Sequence, residues 1–129
     1  RTDSLLDDYQ SALSKRGIKT LQISRNIPDD PNAAGVRSAT LHRLKGLEFR
    51  AVFIVGADEG NIPDALTLNE SPDPDDREEA ARSERALFHV AATRAVDRLY
   101  VSCSDTPGEY LNELIQYEKD VKAKAKKTK

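Results

Sequence analysis

Two short segments of this 129-residue chain carry side chains whose types and spacing can do chemistry. The first is Thr40-Leu41-His42-Arg43-Leu44-Lys45-Gly46-Leu47-Glu48-Phe49, just ahead of the apolar run from Ala51 to Val55. In open α/β sheets, ligands gather at strand ends. Gly46 would let the backbone approach a phosphate or adopt positive φ, and Glu48 can accept hydrogen bonds from sugar hydroxyls. The same residues also read as a tight turn with solvated charges and a helix-capping His42. The second segment runs from Ser83 to Ala95 and sets Arg94 at the end of a helix whose inner face is small and apolar. A guanidinium there is placed to reach across a domain boundary toward a transferring phosphoryl group. A plainer role for Arg94 is pairing with its own helix C-terminus or with Asp97.

These residues need a scaffold, and the hydrophobic pattern outlines one. Ser4 to Arg16 sets Leu5, Leu6, Tyr9, Ala12 and Leu13 at helical spacing, with Gly17 as a stop. Ile18 to Ile23 alternates like a strand, and Val36 to Leu41 is expected to form a second. Ala51 to Val55 reads as a strand covered on both faces. Asn26 to Gly35, and Asp58 to Asp76 with its three prolines, read as loops. A helix is expected from Arg77 to Ala95, a strand from Leu99 to Cys103, and a closing helix from Glu109 to Tyr117. Strands separated by helices predict a layered α/β domain with a mainly parallel sheet over residues 1–121. Residues 122–129, mostly Lys and Ala, are expected to fray; their charge suits a nucleic acid or an acidic partner.

Composition bounds the rest. Hydrophobic residues make up 38% and charged residues 33%, which is globular rather than disordered. No apolar run approaches the roughly 20 residues of a membrane helix. The single cysteine, Cys103, offers no disulfide framework and fits a reducing cytoplasm. No Cys/His cluster suggests a metal site, and His89 is expected to be a packing residue. Phe53 and Tyr100 are expected in the core rather than as base-stacking platforms. The net charge of −2 does not advertise a nucleic-acid binder. Acids crowd Asp58 to Glu79, whereas Arg37, His42, Arg43, Lys45 and Arg50 share one stretch. Any DNA contact is therefore expected to be a local basic patch.

Taken together and in order, these segments resemble motifs V and VI of the UvrD/Rep group of superfamily 1 DNA helicases. There, a strand ending Thr-x-His leads into Lys-Gly-Leu-Glu-Phe, an apolar strand, an acidic turn and Gly-x-x-Pro, here Gly60-Asn61-Ile62-Pro63. A later helix ends Val-Ala-x-Thr-Arg-Ala before a strand with Arg-Leu-Tyr. Arg1-Thr2-Asp3-Ser4, ahead of an amphipathic helix, looks like motif IV. The three motifs span residues 1 to about 103. The resemblance implies a RecA-like three-layer domain, the second of two motor domains, flanked by helices on both faces of its sheet.

It also implies roles. Arg94 and Arg1 look like the arginines that reach the γ-phosphate of ATP held on the first motor domain. Glu48 is similar to the glutamate on the nucleotide ribose, and Gly46 to the glycine near the phosphates. Thr40 and His42, with Arg43 beside them, resemble the contacts to the single-stranded DNA backbone, which position DNA without reading its sequence. ATP with Mg2+ is the implied cofactor, and the partners are single-stranded DNA and the N-terminal RecA-like motor domain, with no membrane and no required oligomer. The family mostly moves 3′ to 5′. No G-x-x-x-x-G-K-[S/T] loop occurs here, so the chain alone is expected to be inactive, with the magnesium ligands on the first domain. The chain begins at Arg1 without a preceding Met, as expected of a piece of a larger protein. Ile23 to Val36 is short where many relatives carry a large insertion, which puts contacts to duplex DNA in doubt. Ser83, Ala86 and His89 depart from the usual motif VI residues, as do Asp3 and Leu5 from those of motif IV. The competing reading is a stand-alone helicase-like module that binds single strands or a protein without ATPase activity.

Overall fold

The computed structural model describes residues 3–27 and 29–127. The chain divides into two compact units, Arg1–Glu48 and Phe49–Lys129. The motif IV arginine, Arg1, lies outside the described residues.

In the first unit, helix α1 (Asp3–Lys15) half-buries Leu5, Leu6, Tyr9 and Leu13, four of the five residues its periodicity marks as one face, while Ala12 is exposed. It stops as expected: Gly17 N–H donates to the Ser14 carbonyl at 2.9 Å and Ile18 N–H to the Leu13 carbonyl at 3.0 Å. Strands β1 (Thr20–Gln22) and β2 (Val36–Ser38) pair in parallel, Thr20 against Val36. Both are shorter than their alternation suggests. Gln10 ties α1 to β2 by donating from Nε2 to Ser38 Oγ at 2.6 Å. Parallel strands need a crossover connection of about a dozen residues or more, usually helical. Here an irregular segment makes it, and Arg37 braces it. That guanidinium pairs with Asp29 at 2.9 Å and donates to the carbonyls of Ala33, Gly35 and Asp30.

The second unit is a βαβ arrangement. Strand β3 (Phe49–Ile54) and strand β4 (Ala95–Val101) pair in parallel, with Ala51 opposite Arg98 and Phe53 opposite Tyr100. The connection between them holds a short helix, α2 (Ala65–Leu68), and a long one, α3 (Pro74–Ala92). The acidic stretch expected to be loop up to Asp76 thus gives way to helix earlier. Asp73 accepts from Asp75 N–H at 2.9 Å, Pro74 occupies the first turn, and Asp75 and Asp76 complement the helix dipole. Val52 and Ile54 are buried, as are Phe88 and Ala91 of α3. The opposite strand face is not covered: Phe53 is 65% exposed and Tyr100 44%, stacked on each other at 4.6 Å. The expectation of a strand buried on both faces, with these two aromatics in the core, is corrected accordingly.

Helix α4 (Glu109–Lys127) buries Tyr110 and Leu111, with Tyr110 tilted against Phe88 at 5.3 Å. It continues well past Tyr117, so the Lys/Ala segment expected to fray is helical to Lys127. The described residues therefore form an α/β fold with short parallel pairings, in two two-stranded sheets rather than one mainly parallel sheet. No helix among them is long and apolar enough to cross a membrane.

Candidate functional site

The first-unit residues follow directly from β2. Thr40, in extended conformation, leads into a 3-10 helix (Leu41–Arg43), and its carbonyl accepts the Arg43 N–H at 3.0 Å. Leu41 is buried, while Leu44 and Leu47 are half-buried, so a spacing of three turns the leucines inward. The residues between and beside them are left outside: His42, Arg43, Lys45, Gly46 and the following Glu48 are all exposed, and the preceding Thr40 is half-buried. Leu47 N–H donates to the Leu44 carbonyl at 3.3 Å and closes the turn. Gly46 at its apex has φ +81°, and a β-carbon there would meet nothing within 4 Å. Its backbone is thus open to an approaching group. One exposed turn carries five of the residues singled out from the sequence: Thr40, His42, Arg43, Gly46 and Glu48.

The basic stretch is narrower than its sequence suggests. Arg37 is engaged in bracing the crossover, and Arg50, in the second unit, pairs with Asp97 at 3.1 Å. Arg43 and Lys45 remain as the exposed cations of this turn, beside the exposed imidazole of His42.

Arg94 belongs to the second unit, in the turn between α3 and β4. Its N–H donates to the Ala91 carbonyl at 3.2 Å, and its carbonyl accepts the Phe49 N–H at 2.8 Å, extending the β3–β4 pairing. Its side chain is half-buried and donates from Nε to the Val90 carbonyl at 3.1 Å. The guanidinium therefore engages the end of its own helix, one of the two plainer arrangements anticipated; Asp97 pairs with Arg50 instead.

Two organising carboxylates escaped the sequence reading. Glu84 on α3 is 5% exposed and accepts the Asp64 N–H at 3.0 Å, fastening the segment before α2 to α3. A carboxylate four and seven residues before Phe88 and Ala91, on the inward face, was the available signal. Asp58 Oδ1 accepts the N–H groups of Ser104 and Asp105, each at 2.7 Å. The Asp105 N–H is the main reason its carboxyl lies below the ordinary carboxylate value.

On the outer side of α3, Arg85 pairs with Glu113 at 2.6 Å and Glu109 at 3.0 Å and lies over the Tyr110 ring at 4.8 Å. The hydrogen bond to Glu113 raises the Arg85 pKa and lowers that of Glu113, whereas burial raises that of Tyr110. A cleft of about 360 Å³ between α2 and α3, lined by residues such as Thr67, Asp76 and Arg77, contains none of the candidate residues. Among the described residues there is no group of three or more His, Cys, Asp or Glu side chains able to hold a metal ion.

Comparison with known proteins gives a consistent result. A model of the UvrD-like helicase C-terminal domain matches residues 11–106. The chain is 45% identical to YjcD of Bacillus subtilis over 69 residues, 54% of this chain and 9% of that protein. It is 38% identical to DNA helicase II of Escherichia coli over 79 residues, 61% of this chain and 10% of that protein. It is also 38% identical to ATP-dependent DNA helicase UvrD1 of Mycobacterium leprae over 101 residues, 78% of this chain and 12% of that protein. The chain thus spans about a tenth of the length of these relatives. Among solved structures, it is similar to the C-terminal domain of a possible DNA helicase from Lactobacillus plantarum. The TM-score is 0.55 at 21% identity, covering 84% of this chain and 55% of that one.

Proposed function

The chain belongs to the UvrD-like helicase C-terminal domain family, and from that premise we propose that it is the second, RecA-like motor domain of an ATP-dependent DNA helicase or translocase. The observation that carries this reading is the turn from Thr40 to Glu48, which buries its leucines and displays its polar residues beside an open glycine. A turn of purely structural use has no need for that full set. In this reading Glu48 accepts hydrogen bonds from the nucleotide ribose and the Gly46 backbone lies against the phosphates. Thr40, His42 and Arg43 hold the single-stranded DNA backbone. Arg94, joined by Arg1, brings positive charge to the γ-phosphate of ATP bound on an N-terminal motor domain.

Such an arginine acts by stabilising charge as the phosphoryl group transfers, not by forming bonds. Closure of the two motor domains on ATP and their release after hydrolysis move the strand contacts, in the 3′ to 5′ direction and in the cytoplasm. Mg2+ would neutralise phosphate charge, held by ligands on the first motor domain. Residues 1–121 make up the motor domain, and this chain by itself supplies half an ATP site and does not turn over.

One observation favours a second reading. Arg94 is bound to the Val90 carbonyl at the end of its own helix, as in a helicase-like binding module without ATPase activity. In the motor, the side chain must leave that carbonyl when nucleotide binds. The test is ATP hydrolysis by the full-length protein, with and without single-stranded DNA, for wild type and Arg94→Ala. The motor reading expects a DNA-stimulated rate that falls by about 10³ in the variant. No DNA-stimulated hydrolysis in wild type, or a rate indifferent to Arg94, overturns it in favour of the module.

A further inference from the structure

The last segment of α4 combines a charge run with a regular backbone. After Asp120 the sequence holds Lys122, Lys124, Lys126 and Lys127 with no acid among them. Helix α4 packs by its first turn, where Tyr110 and Leu111 are buried, and every residue from Asn112 to Lys127 is exposed. From Gln116 onward it presents roughly 18 Å of exposed helix at 1.5 Å per residue. Helical spacing sets Lys119, Lys122 and Lys126 along one side, with Lys124 and Lys127 displaced around the axis. The pair between Lys122 and Glu118 is 2.6 Å long but fully at the surface, where such pairs hold weakly and exchange readily.

This geometry points to α4 as a binding site for the phosphate backbone of DNA, separate from the turn at Thr40 to Glu48. A polyanion suits it better than a protein groove or a lipid surface. The exposed large apolar residues of α4 are Leu114, Ile115, Tyr117 and Val121, and none follows Val121, so the segment where the lysines gather lacks the anchors of a helix seated in a groove or in the acyl boundary. Ammonium groups contact phosphates as point charges without selecting bases, which fits a protein that travels along DNA. The inference rests on the motor reading for its choice of DNA.

The test uses the full-length protein with Lys122, Lys124, Lys126 and Lys127 all changed to Gln, and a second variant with all four changed to Arg. Binding to a labelled single-stranded oligonucleotide is followed by fluorescence anisotropy from about 50 to 200 mM salt. Each phosphate contact on a single strand contributes about 0.7 to the slope of log K against log salt. The Gln variant should therefore lose about 2 to 3 from that slope, while the Arg variant keeps it. An unchanged slope in the Gln variant, with DNA-stimulated ATP hydrolysis intact, overturns this site and leaves the motor reading standing. An unchanged slope with lost binding to phosphatidylserine vesicles also overturns it, in favour of a membrane surface. A wild-type protein that neither binds DNA nor responds to it overturns both.

Discussion

At Gly46 and Gly108 the absence of a β-carbon answers two different demands. Gly46 stands at φ +81° in open space, so only the backbone conformation is at issue. Gly108 is buried, and a β-carbon there would lie 2.3 Å from the Ile62 carbonyl oxygen and 3.0 Å from that of Asp58. Gly46→Ala should cost about 1 kcal/mol in urea unfolding, the penalty for a β-carbon in the left-handed region. Gly108→Ala must displace backbone and should cost more, about 2–3 kcal/mol. Equal costs would contradict the contact at Gly108. Gly46 was legible in the sequence because a lysine-glycine turn between two strand-like runs asks for positive φ. Gly108 was not, since its neighbours come from the bridge that pairs Asp58 with Pro107 far along the chain. Local spacing carries no record of such a contact.

Elements were legible where one face is buried and one is wet. The apolar stripe of α1 and its glycine stop gave that helix almost to the residue. The prolines and acids before Arg77 read as loop composition, so the pattern starts α3 at Arg77 rather than at Pro74. Asp73-Pro74-Asp75-Asp76 is equally a helix start, and the cap at Asp73 decides it. The run Ala51 to Val55 misled differently, because a continuous apolar stretch does not say how many faces are covered. Val52 and Ile54 pack under α3 while Phe53 stacks on Tyr100 outside. Glu84 joins α3 to the segment before α2, so its removal should be felt as loss of that junction. Glu84→Ala takes an acceptor from the half-buried Asp64 N–H and should destabilise by about 1–3 kcal/mol in urea unfolding. A change below a few tenths would show that water replaces the carboxylate without cost.

For the whole molecule, the family and the order of elements were legible, but the division into two compact units was not. Its boundary falls between Glu48 and Phe49, inside the segment read as one motif. Compactness depends on contacts between distant residues, which neither periodicity nor composition encodes. Charge distribution also acts at this scale. Asp58 and Glu113 are both held below the ordinary carboxylate value, by the Asp105 N–H and by Arg85 respectively. A carboxyl depressed in the folded state stabilises it above the unfolded pKa, and that contribution is lost as pH falls through the folded pKa. Stability should therefore decline on acidification through and below the usual carboxylate range. Asp58→Asn should flatten that acid limb in a series of thermal melts; a limb as steep as wild type would mean Asp58 titrates alike in both states.

The pinning of Arg94 has a consequence for how fast and how tightly it can respond. Its amide is tied to Ala91 and its carbonyl to Phe49, so the main chain has little freedom left to lose. An anion captured by this guanidinium must draw it away from the Val90 carbonyl, so the penalty is the loss of that hydrogen bond, about 1 kcal/mol, with little added by the backbone. The force exerted on the side chain would pass into the first rung of a β-ladder instead of dissipating in a slack loop. Arg94 is in this sense a rigidly mounted latch, held at its root by the ladder and at its tip by the Val90 carbonyl.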